Sequence, residues 1–364
     1  MKTPDHPVVH VIEHYVARLV CALPPALLRI IGRDVAAPEG VKPAPEVGAL
    51  LTIMAMTGER ALGTGEDPEA RRASTRRGAA TAAPRKPGPV RAQQVTVAGA
   101  AGDLRARLYI PPVDTDGRLL VFYHGGGWVT GDLDTHDSVC RLLAMQAATR
   151  VVSVEYRLAP EHPFPAPADD AIAAFAHVVD HAPKFGARPD RISVAGDSAG
   201  GNLAAVVSQQ TAGGPRPAAA LLIYPACDFR GGTASRTLFA EGFLLEKRDM
   251  DWCQARYLPA GADIEDPWIS PIFGEIDERH PPTVVVTAGF DPLRDEGETY
   301  AAHLRAAGVP TVLRRYPGLV HGFANVTALS RTSHDAMVDC ASALLAAQEL
   351  GARPPARVEV PVSS

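Results

Sequence analysis

The sequence predicts an α/β protein with a mostly parallel central sheet of about eight strands, flanked by helices and covered by a helical cap. From about residue 92 onward, short runs of β-branched and aromatic residues alternate with helical segments rich in Ala and Leu. This alternation is typical of a parallel sheet with helices on both faces. A long stretch without a convincing strand lies between Tyr224 and Thr283. We interpret it as an insertion over the active face of the sheet.

Most of the expected strands are short runs of β-branched or aromatic residues, and a helical pattern follows most of them. The expected strands are 93–97, 104–110, 118–123, 151–156, 191–195, 219–224, 283–287 and 311–316, with the first two as an antiparallel pair. The expected helices are roughly 136–148, 168–181, 200–211, 294–307 and 333–349, with a further candidate at 249–257. The order fits a catalytic domain over residues 86–350, with a cap insertion at about 228–270 and a flexible tail at 351–364.

The first 85 residues differ from the rest and are interpreted as an N-terminal helical cap or arm. Apolar residues at helical spacing over 6–20 and a second apolar run at 50–56 favour helices there. A short basic helix is expected over 68–78. Its charges are interpreted as a solvated face rather than as a membrane or partner patch.

Composition excludes several classes of function. The chain has 364 residues, of which 46% are hydrophobic and 21% charged, and its formal net charge is -5. An acidic balance gives no reason to expect nucleic acid as a partner. No run approaches about 18 uninterrupted apolar residues, so no integral membrane segment is expected. The first ten residues lack the features of a signal peptide, which favours a cytoplasmic location, and a homodimer is compatible with the sequence.

Neither a metal site nor a cofactor is expected. His10-Val-Ile-Glu13-His14 spells a pattern that some zinc proteases carry, but no clear partner carboxylate follows on a second helix. The face of an amphipathic helix is therefore the preferred interpretation. The five cysteines are scattered and lack metal spacing, which predicts free, mostly buried thiols: Cys21, Cys140, Cys227, Cys253 and Cys340.

A candidate nucleophile lies in Gly196-x-Ser198-x-Gly200, between an expected strand and an expected helix. This is the strand-to-helix turn that exposes a reactive serine in α/β-hydrolases. The turn is so tight that a Cβ two residues before or after the serine would clash with neighbouring backbone, so glycine fits there. Ser198 would lie at the positive end of the following helix, where developing negative charge is stabilised.

A serine nucleophile needs a base and an acid that orients it, in the chain order serine, acid, histidine. Asp291 follows the expected strand 283–287 directly and is the favoured acid, ahead of its rivals Asp295 and Glu296 on the next helix. His321 follows the last strand and precedes the final helix, and is the candidate base. Gly322 beside it allows a sharp turn.

Donors for an oxyanion are expected after the strand 118–123, where His124 precedes three glycines and Trp128. Glycine lets backbone N–H groups point into a site without obstruction, and the residue after the nucleophile supplies a further N–H. Each such donor typically contributes about 3 kcal/mol of transition-state stabilisation. The candidate oxyanion hole consists of Gly125, Gly126, Gly127 and Ala199.

Together these motifs resemble the hormone-sensitive-lipase-type esterases, the bacterial family IV carboxylesterases, which are also similar to arylacetamide deacetylase. The motifs are His124-Gly-Gly-Gly-Trp, Tyr156-Arg-Leu-Ala-Pro-Glu-His-Pro-Phe-Pro-Ala, Gly196-Asp-Ser-Ala-Gly-Gly, Asp291-Pro-Leu-Arg-Asp-Glu and His321-Gly-Phe. The resemblance covers about residues 95–348. It implies an α/β-hydrolase fold, a Ser198–Asp291–His321 triad and a cap of N-terminal helices plus an insertion. It also implies oxyanion donors at Gly126, Gly127 and Ala199, with Gly125 shaping the loop.

Several residues are expected to support the substrate or the loops rather than react. His124 is expected to hold the glycine loop by hydrogen bonds, and Trp128, Asp197 and Tyr224 are further support candidates. Glu155 or Glu161, like Asp197, is expected to tie loops together through buried hydrogen bonds.

The sequence therefore predicts a serine carboxylesterase that acts on short- to medium-chain esters through an acyl-enzyme, with a small-molecule ester as its partner. The chain-length preference follows from the resemblance, which implies a cap that limits the pocket. An amidase or deacetylase on arylacetamide-type substrates would use the same site and remains an alternative. A non-catalytic small-molecule receptor is the alternative from another class, although such relatives lose the base that His321 provides here.

Overall fold

The computed structural model describes residues 18–33, 35, 40–57, 62–63, 65–84, 88–210, 215–277 and 279–351. The His10-x-x-Glu13-His14 motif, most of the expected helix 6–20 and the expected tail lie outside the described residues.

A single eight-stranded sheet forms the centre of the molecule, as the sequence predicts. Its strands are β1 Arg91–Gly99, β2 Gly102–Ile110, β3 Leu119–Tyr123, β4 Arg150–Val154, β5 Ile192–Asp197, β6 Ala220–Ile223, β7 Thr283–Phe290 and β8 Thr311–Val320. They lie in the order β1-β2-β4-β3-β5-β6-β7-β8. β2 pairs antiparallel with β1 and β4, and every other neighbouring pair is parallel. The antiparallel opening pair and the mostly parallel sheet are thus confirmed.

Helices cover both faces of this sheet. The helices are α1 Pro25–Ile31, α2 Pro45–Thr57, α3 Pro68–Ala82, α4 Asp137–Gln146, α5 Ala166–Asp180, α6 Ala199–Gln209, α7 Ala234–Leu238, α8 Lys247–Tyr257, α9 Arg294–Ala306 and α10 Arg331–Gly351. Side chains of β3 alternate between two cores, with Val121 in one and Phe122 in the other. α5, α6 and α9 pack in the first core, and α4 and α10 in the second. Both faces of the sheet are therefore buried, which explains why its central strands are continuous apolar runs.

The parallel strands bring the candidate site together at one edge of the sheet. Tyr123 at the end of β3 pairs with Gly196 of β5, so the loops after these two strands are neighbours. Asp291 follows β7 directly, and His321 follows β8 directly. Because the strands are parallel, all of these loops lie at the carboxyl ends of strands, where α/β proteins form their sites.

Two further segments lie around this edge. Between β6 and β7 the described residues contain α7, α8 and a short turn at Pro271–Phe273, without a strand. In the N-terminal segment, the Ala44 N–H donates to Gly318 O of β8 at 2.8 Å, and this contact places α2 beside the sheet. α3 contacts the turn Phe323–Val326 that follows His321. No helix in the described part of the chain is long and apolar enough to cross a membrane.

The interpretation of the basic run 68–78 as a solvated face is wrong for two of its arginines, Arg71 and Arg72. Arg71 is only 2% exposed, and its Nη1 donates to Asp249 of α8 at 3.1 Å. Arg72, whose side chain is 13% exposed, donates to Val129 O and Ala159 O. Arg76 also donates to protein, at Asp132, but its side chain stays 47% exposed. The helix itself is confirmed. Its arginines bind other parts of the protein, and the local sequence does not show this because their partners lie far away along the chain.

Candidate active site

Ser198 occupies a strained turn between β5 and α6. Its φ of 56° is unusual for a residue with a side chain. The turn brings its flanking glycines against neighbouring backbone: a Cβ at Gly196 would lie 2.1 Å from Gly200 O, and one at Gly200 would lie 1.9 Å from Tyr123 O. Real Cβ atoms never come so close to backbone. The two glycines are therefore a steric requirement of the turn, as the sequence pattern suggests.

A continuous hydrogen-bonded chain links Ser198, His321 and Asp291. The Ser198 hydroxyl faces His321 Nε2 at 2.9 Å. On the other side of the imidazole, Nδ1–H donates to Asp291 Oδ2 at 2.8 Å. Asp291 is completely buried, and its other oxygen accepts the Leu293 N–H at 2.8 Å. The carboxylate is thereby fixed at the start of α9, and it fixes the imidazole in turn.

The rival acids have other partners. Asp295 accepts the Ser235 N–H at 2.8 Å. Glu296 accepts the Cys227 N–H at 2.9 Å and pairs with Arg236. Because Glu296 is fully buried, its pKa is raised to about 7 even though Arg236 acts in the opposite direction. These two acids join the segment between β6 and β7 to α9 and leave Asp291 as the partner of His321.

The glycine loop after β3 supplies backbone donors next to Ser198. Gly126 and Gly127 have φ values of +124° and +61°, which side chains rarely tolerate. A Cβ on Gly126 would lie 2.2 Å from Thr130 O, and one on Gly127 would lie 2.4 Å from Cys253 Sγ. Within the described residues, the N–H groups of Gly126 and Gly127 have no acceptor. Ala199 begins α6, so its N–H is one of the donors that a helix start leaves open.

Gly125 has a different position from its neighbours. Its N–H donates to Asp197 Oδ1 at 2.8 Å. That donor is therefore engaged in holding the loop against the residue before the nucleophile. Of the four candidates for the oxyanion hole, Gly126, Gly127 and Ala199 have N–H groups available, and Gly125 shapes the loop.

His124 and Asp197 hold this loop from below, and His136 is a third member that the sequence did not reveal. His124 stacks on Tyr156 with 4.4 Å between ring centroids, and its Nδ1–H donates to Gly125 O at 2.9 Å. His136 Nε2 lies 3.1 Å from Asp197 Oδ1. No motif marks His136 in the sequence, and only the fold brings it to Asp197.

Charge states in this group follow from burial and pairing. Burial and, to a smaller extent, the nearby His136 lower the pKa of His124 to about 4, so His124 is neutral at pH 7. Burial opposes ionisation of Asp197, but His136 and the Gly125 N–H outweigh it and hold the pKa of this carboxyl below its ordinary value. The glycine loop is therefore held by a buried, ionised carboxylate, that of Asp197.

Tyr224 and Trp128 flank the reacting groups. The ring centroid of Tyr224 lies 4.5 Å from that of His321, and its hydroxyl is 3.4 Å from Asp197 Oδ2. Trp128 stacks on Tyr257 of α8 with 4.4 Å between centroids. Tyr224 thus packs behind the imidazole, and Trp128 joins the glycine loop to α8. Both residues therefore lie beside the candidate site, and their supporting role stays a prediction.

The two glutamates differ from expectation because neither makes a buried hydrogen bond. Glu161 is 53% exposed at its side chain and pairs with Arg72. Glu155 pairs with Arg105, which is 73% exposed, at the surface. Glu161 still joins two segments of the chain, whereas Glu155 takes no part in the site.

A cavity of about 50 Å³ opens onto Ser198. The residues around it are mostly apolar and come from the N-terminal segment, the glycine loop and the segment between β6 and β7: Leu62, Trp128, Phe229, Leu245, Met250 and Cys253. A water molecule needs at least about 10–15 Å³ by this measure, so the cavity has room for roughly four waters. Among the described residues, no group of three or more His, Cys, Asp and Glu is arranged to hold a metal ion.

Comparison with known proteins agrees with this geometry. A family model with the description "alpha/beta hydrolase fold" matches residues 120–325, which is more than half of the chain. The chain belongs to the α/β-hydrolase family. The matched region of this hydrolase contains Ser198, Asp291 and His321 together with the glycine loop.

Relatives place this α/β hydrolase among the hormone-sensitive-lipase-like carboxylesterases. It is 48% identical over 271 residues to carboxylic ester hydrolase LipN of Mycobacterium tuberculosis, a match covering 71% of this chain and 72% of the relative. It is 37% identical over 247 residues to ethyl acetate hydrolase of Pseudomonas putida, covering 66% and 78%. A solved ester hydrolase, EH1AB1 from the metagenome of Lake Arreo in complex with a bipyridine phosphonate derivative, is 42% identical with a TM-score of 0.79 and covers 84% of this chain and 98% of that chain. The hydrolase is a carboxylic ester hydrolase rather than a non-catalytic receptor.

Proposed function

We propose that this carboxylesterase hydrolyses short- to medium-chain esters through an acyl-enzyme formed on Ser198. The observation that carries the proposal is the chain of contacts from Ser198 Oγ to His321 Nε2 at 2.9 Å and from His321 Nδ1 to Asp291 Oδ2 at 2.8 Å. A hydroxyl, an imidazole and a buried carboxylate in this order can activate a serine for attack on a carbonyl.

In the acylation step, His321 Nε2 takes the proton of Ser198 as Oγ attacks the ester carbonyl. Asp291 accepts from Nδ1–H, which keeps the imidazole in the tautomer that can receive this proton and stabilises the imidazolium. The carbonyl oxygen becomes negatively charged and accepts the N–H groups of Gly126, Gly127 and Ala199. When the tetrahedral intermediate collapses, the imidazolium gives its proton to the leaving alcohol.

Deacylation repeats these steps with water as the nucleophile. His321 removes a proton from the water, which attacks the acyl carbon, and the same three N–H groups hold the second oxyanion. The imidazolium then returns the proton to Ser198 Oγ, and the carboxylic acid leaves. No metal or cofactor takes part in the proposed sequence.

The size and chemistry of the cavity support the proposed chain-length range. Met250, Leu245 and Phe229 give the cavity an apolar lining, which suits an alkyl or aryl group. The cavity is small, at about 50 Å³, which favours a small group directly beside Ser198. The relative named ethyl acetate hydrolase carries a short ester in its name, and this supports the same range.

Replacing the proposed nucleophile is the first test. Ser198→Ala should lower kcat on p-nitrophenyl butyrate at least about 1,000-fold, because the triad acts as a unit. Ser342→Ala, which changes a serine on the outer side of α10, is the matched control and should retain wild-type activity. A fluorophosphonate should label the peptide that contains Ser198, with loss of fluoride. Full activity in Ser198→Ala would remove the proposal.

Chain length is tested by a series of p-nitrophenyl esters from acetate to palmitate. We expect kcat/KM to peak between two and eight acyl carbons and to fall at least about tenfold at sixteen, because the apolar walls limit the pocket. Triacylglycerol emulsions provide the second arm. Equal or higher turnover on long-chain emulsions would contradict the proposed range and leave the role of Ser198 untouched.

A cytoplasmic location is part of the same proposal. All five cysteines are free and four of them are buried, which suits a reducing compartment. Fractionation of cells that express the enzyme at its natural level tests the location. Recovery of most of the esterase in the membrane or secreted fraction would contradict it.

A further inference from the structure

We propose that helix α3 is a positioning element for the oxyanion loop, through Arg72 and Arg76, and that the N-terminal segment therefore contributes to the rate of the chemical step. The proposal rests on the proposed function of the loop 124–132. It assigns a role to the basic run 68–78 beyond covering the pocket.

Arg72 holds the junction between the oxyanion loop and the loop after β4. Its Nε donates to Val129 O at 2.9 Å, two residues beyond Gly127, and its Nη2 donates to Ala159 O at 2.9 Å. At the same junction the Ala159 N–H donates to Trp128 O at 2.9 Å. The side chain of Arg72 is only 13% exposed. One guanidinium thus joins the loop after β3 to the loop after β4. Its planar arrangement of N–H donors allows it to bind both carbonyl oxygens at once.

Arg76 holds the same loop one helical turn further on. Its Nε donates to Asp132 Oδ2, while Asp132 Oδ1 accepts the N–H groups of Asp134 and Thr135 at 2.9 and 2.8 Å. Asp132 therefore closes the turn in which the loop ends, and Arg76 fixes that turn to α3. Residues four apart lie on one side of a helix, so Arg72 and Arg76 act on the loop together.

A third arginine of α3 acts on the loop through α8. Arg71 donates to Asp249 and lies over the ring of Trp252, 4.0 Å from its centroid. One residue after Trp252, the Sγ of Cys253 lies against Gly127, so close that a Cβ on that glycine would be only 2.4 Å from the sulfur. The loop is consequently enclosed between α3 on one side and α8 on the other.

Small displacements of this loop should lower the rate of the chemical step. Oxyanion donors act when they lie about 2.7–3.1 Å from the oxygen on which charge develops. A misplacement of about 1 Å can lower the rate on the order of 100-fold. Because Val129 and Asp132 are within five residues of Gly127, releasing them frees the donors at Gly126 and Gly127. Trp128 of this loop also lines the apolar cavity, but most of the other lining side chains lie outside the loop, so substrate binding should change less than the rate.

The experiment measures kcat and KM per active site for Arg72→Ala, Arg72→Lys, Arg76→Ala and Glu161→Gln. Active sites are counted by end-point titration with a fluorophosphonate, so that misfolded molecules do not contribute. Glu161→Gln is the matched variant, because it removes the bidentate ion pair of Arg72 at 2.9 and 2.6 Å and leaves the carbonyl contacts in place. Arg188→Ala removes an arginine from an exposed pair with Asp190 and is the surface control.

We expect Arg72→Ala to lower kcat per site at least tenfold with KM changed less than threefold, and Arg76→Ala to lower it three- to tenfold. Arg72→Lys should fall between Arg72→Ala and the wild type, since one ammonium cannot reach both carbonyls. Glu161→Gln and Arg188→Ala should stay within twofold. The rate constant of phosphonylation should fall in parallel with kcat, because it uses the same donors.

A purely structural role of α3 has a different signature, in which the number of titratable sites falls but kcat per site stays within twofold of the wild type. That result for Arg72→Ala and Arg76→Ala overturns the proposal. If Arg72→Ala yields no titratable sites, Arg72→Lys and Arg76→Ala decide by the same criterion. Activity in Ser198→Ala, or labelling at another residue, would instead contradict the proposed function, so the two failures are distinguishable.

Discussion

The backbone N–H of Gly125 donates to Oδ1 of Asp197, the residue directly before the nucleophile, at 2.8 Å. The bond joins two loops that follow neighbouring strands and differ by 72 positions in the chain. It is charge-assisted and buried, and such bonds are roughly twice as strong as neutral ones. The distance between Ser198 and the oxyanion donors is therefore set by a hydrogen bond outside the triad.

Removing this carboxylate should damage both activity and stability. Asp197→Ala leaves the Gly125 N–H and His136 without their acceptor, which should lower the free energy of unfolding by about 1–3 kcal/mol and kcat at least tenfold. Asp197→Asn keeps an oxygen for Gly125 and should lose less of both. Urea denaturation and steady-state kinetics measure the two effects, with Asp190→Asn in an exposed pair as the control. Wild-type values for Asp197→Ala would show that the loop is held elsewhere.

Gly200 and Gly201, which closely follow the nucleophile, should differ strongly in how well they tolerate replacement by alanine. In Gly200→Ala the new Cβ meets Tyr123 O at 1.9 Å, so β3 must move; we expect little soluble protein or a loss of at least about 3 kcal/mol. In Gly201→Ala the nearest atoms, on Pro225, are 3.1 Å away, and alanine favours the helix. Its free energy of unfolding should stay within about 1 kcal/mol of the wild type. Thermal and urea unfolding compare the pair, and equal stability of both variants would refute the steric argument.

Gly127 and Cys253 should show coupling in a double-mutant cycle. Gly127→Ala collides with Cys253 Sγ at 2.4 Å and also strains a residue with φ of +61°, so kcat should fall at least 100-fold. Cys253→Gly alone should cost about 1 kcal/mol of stability and keep kcat within about fivefold. The double variant should recover part of the lost kcat, because the collision is removed and the backbone strain remains. Strictly additive effects on kcat would mean that the contact is unimportant.

Stability should fall in acid because two histidines are buried as neutral groups. Burial lowers the pKa of His280 to about 4, and His124 behaves in the same way. In the unfolded chain histidine has a pKa of about 6.5, so below pH 6.5 the unfolded state binds protons that the native state does not. Each histidine therefore stabilises fully above pH 6.5 and loses its contribution progressively between pH 6.5 and 4.

His280→Gln tests this argument away from the active site. Between pH 7.5 and 5 the variant should lose about 2 kcal/mol less unfolding free energy than the wild type. The reason is that its unfolded chain no longer binds a proton at position 280. His334→Gln, which changes an exposed histidine, should leave the pH dependence as it is. Urea denaturation at both pH values measures the difference. An unchanged slope in His280→Gln would show that this imidazole is protonated in the native state.

Much of the fold is readable from the sequence for a simple physical reason. The central strands β3 to β7 are buried on both faces, so each one is an apolar run bounded by turn residues and could be predicted to within a few positions. The partly exposed strands β1, β2 and β8 could be predicted from their β-branched and aromatic residues. Ser198, Asp291 and His321, which the structure brings together, could be predicted as a candidate triad because each one follows a strand in the order that the chemistry requires. Strand ends and chain order are properties that a sequence displays directly.

The supports of the site are not readable in this way. Arg72 and Arg76 are two members of a basic run, and nothing local distinguishes a solvated arginine from one whose partners are Val129 O and Asp132. His136 has no motif, and its contact with Asp197 depends on how the loop after β3 folds. The spacing of Arg72 and Arg76 on one side of a helix was the available signal, but it becomes informative only once a partner surface is known.

Helix α3 leaves the ribosome before every partner described here. Asp132 follows Arg76 by 56 positions, and Asp249 follows Arg71 by 178. During synthesis Arg72 and Arg76 can reach their partners once β3, β4 and the loops after them have been made, whereas Arg71 has to wait for α8. The surface that they finally hold is complete only when α8 has emerged, and His321 emerges later still. The triad is therefore complete only after β8 and His321 have been synthesised, when the other strands of the sheet already exist.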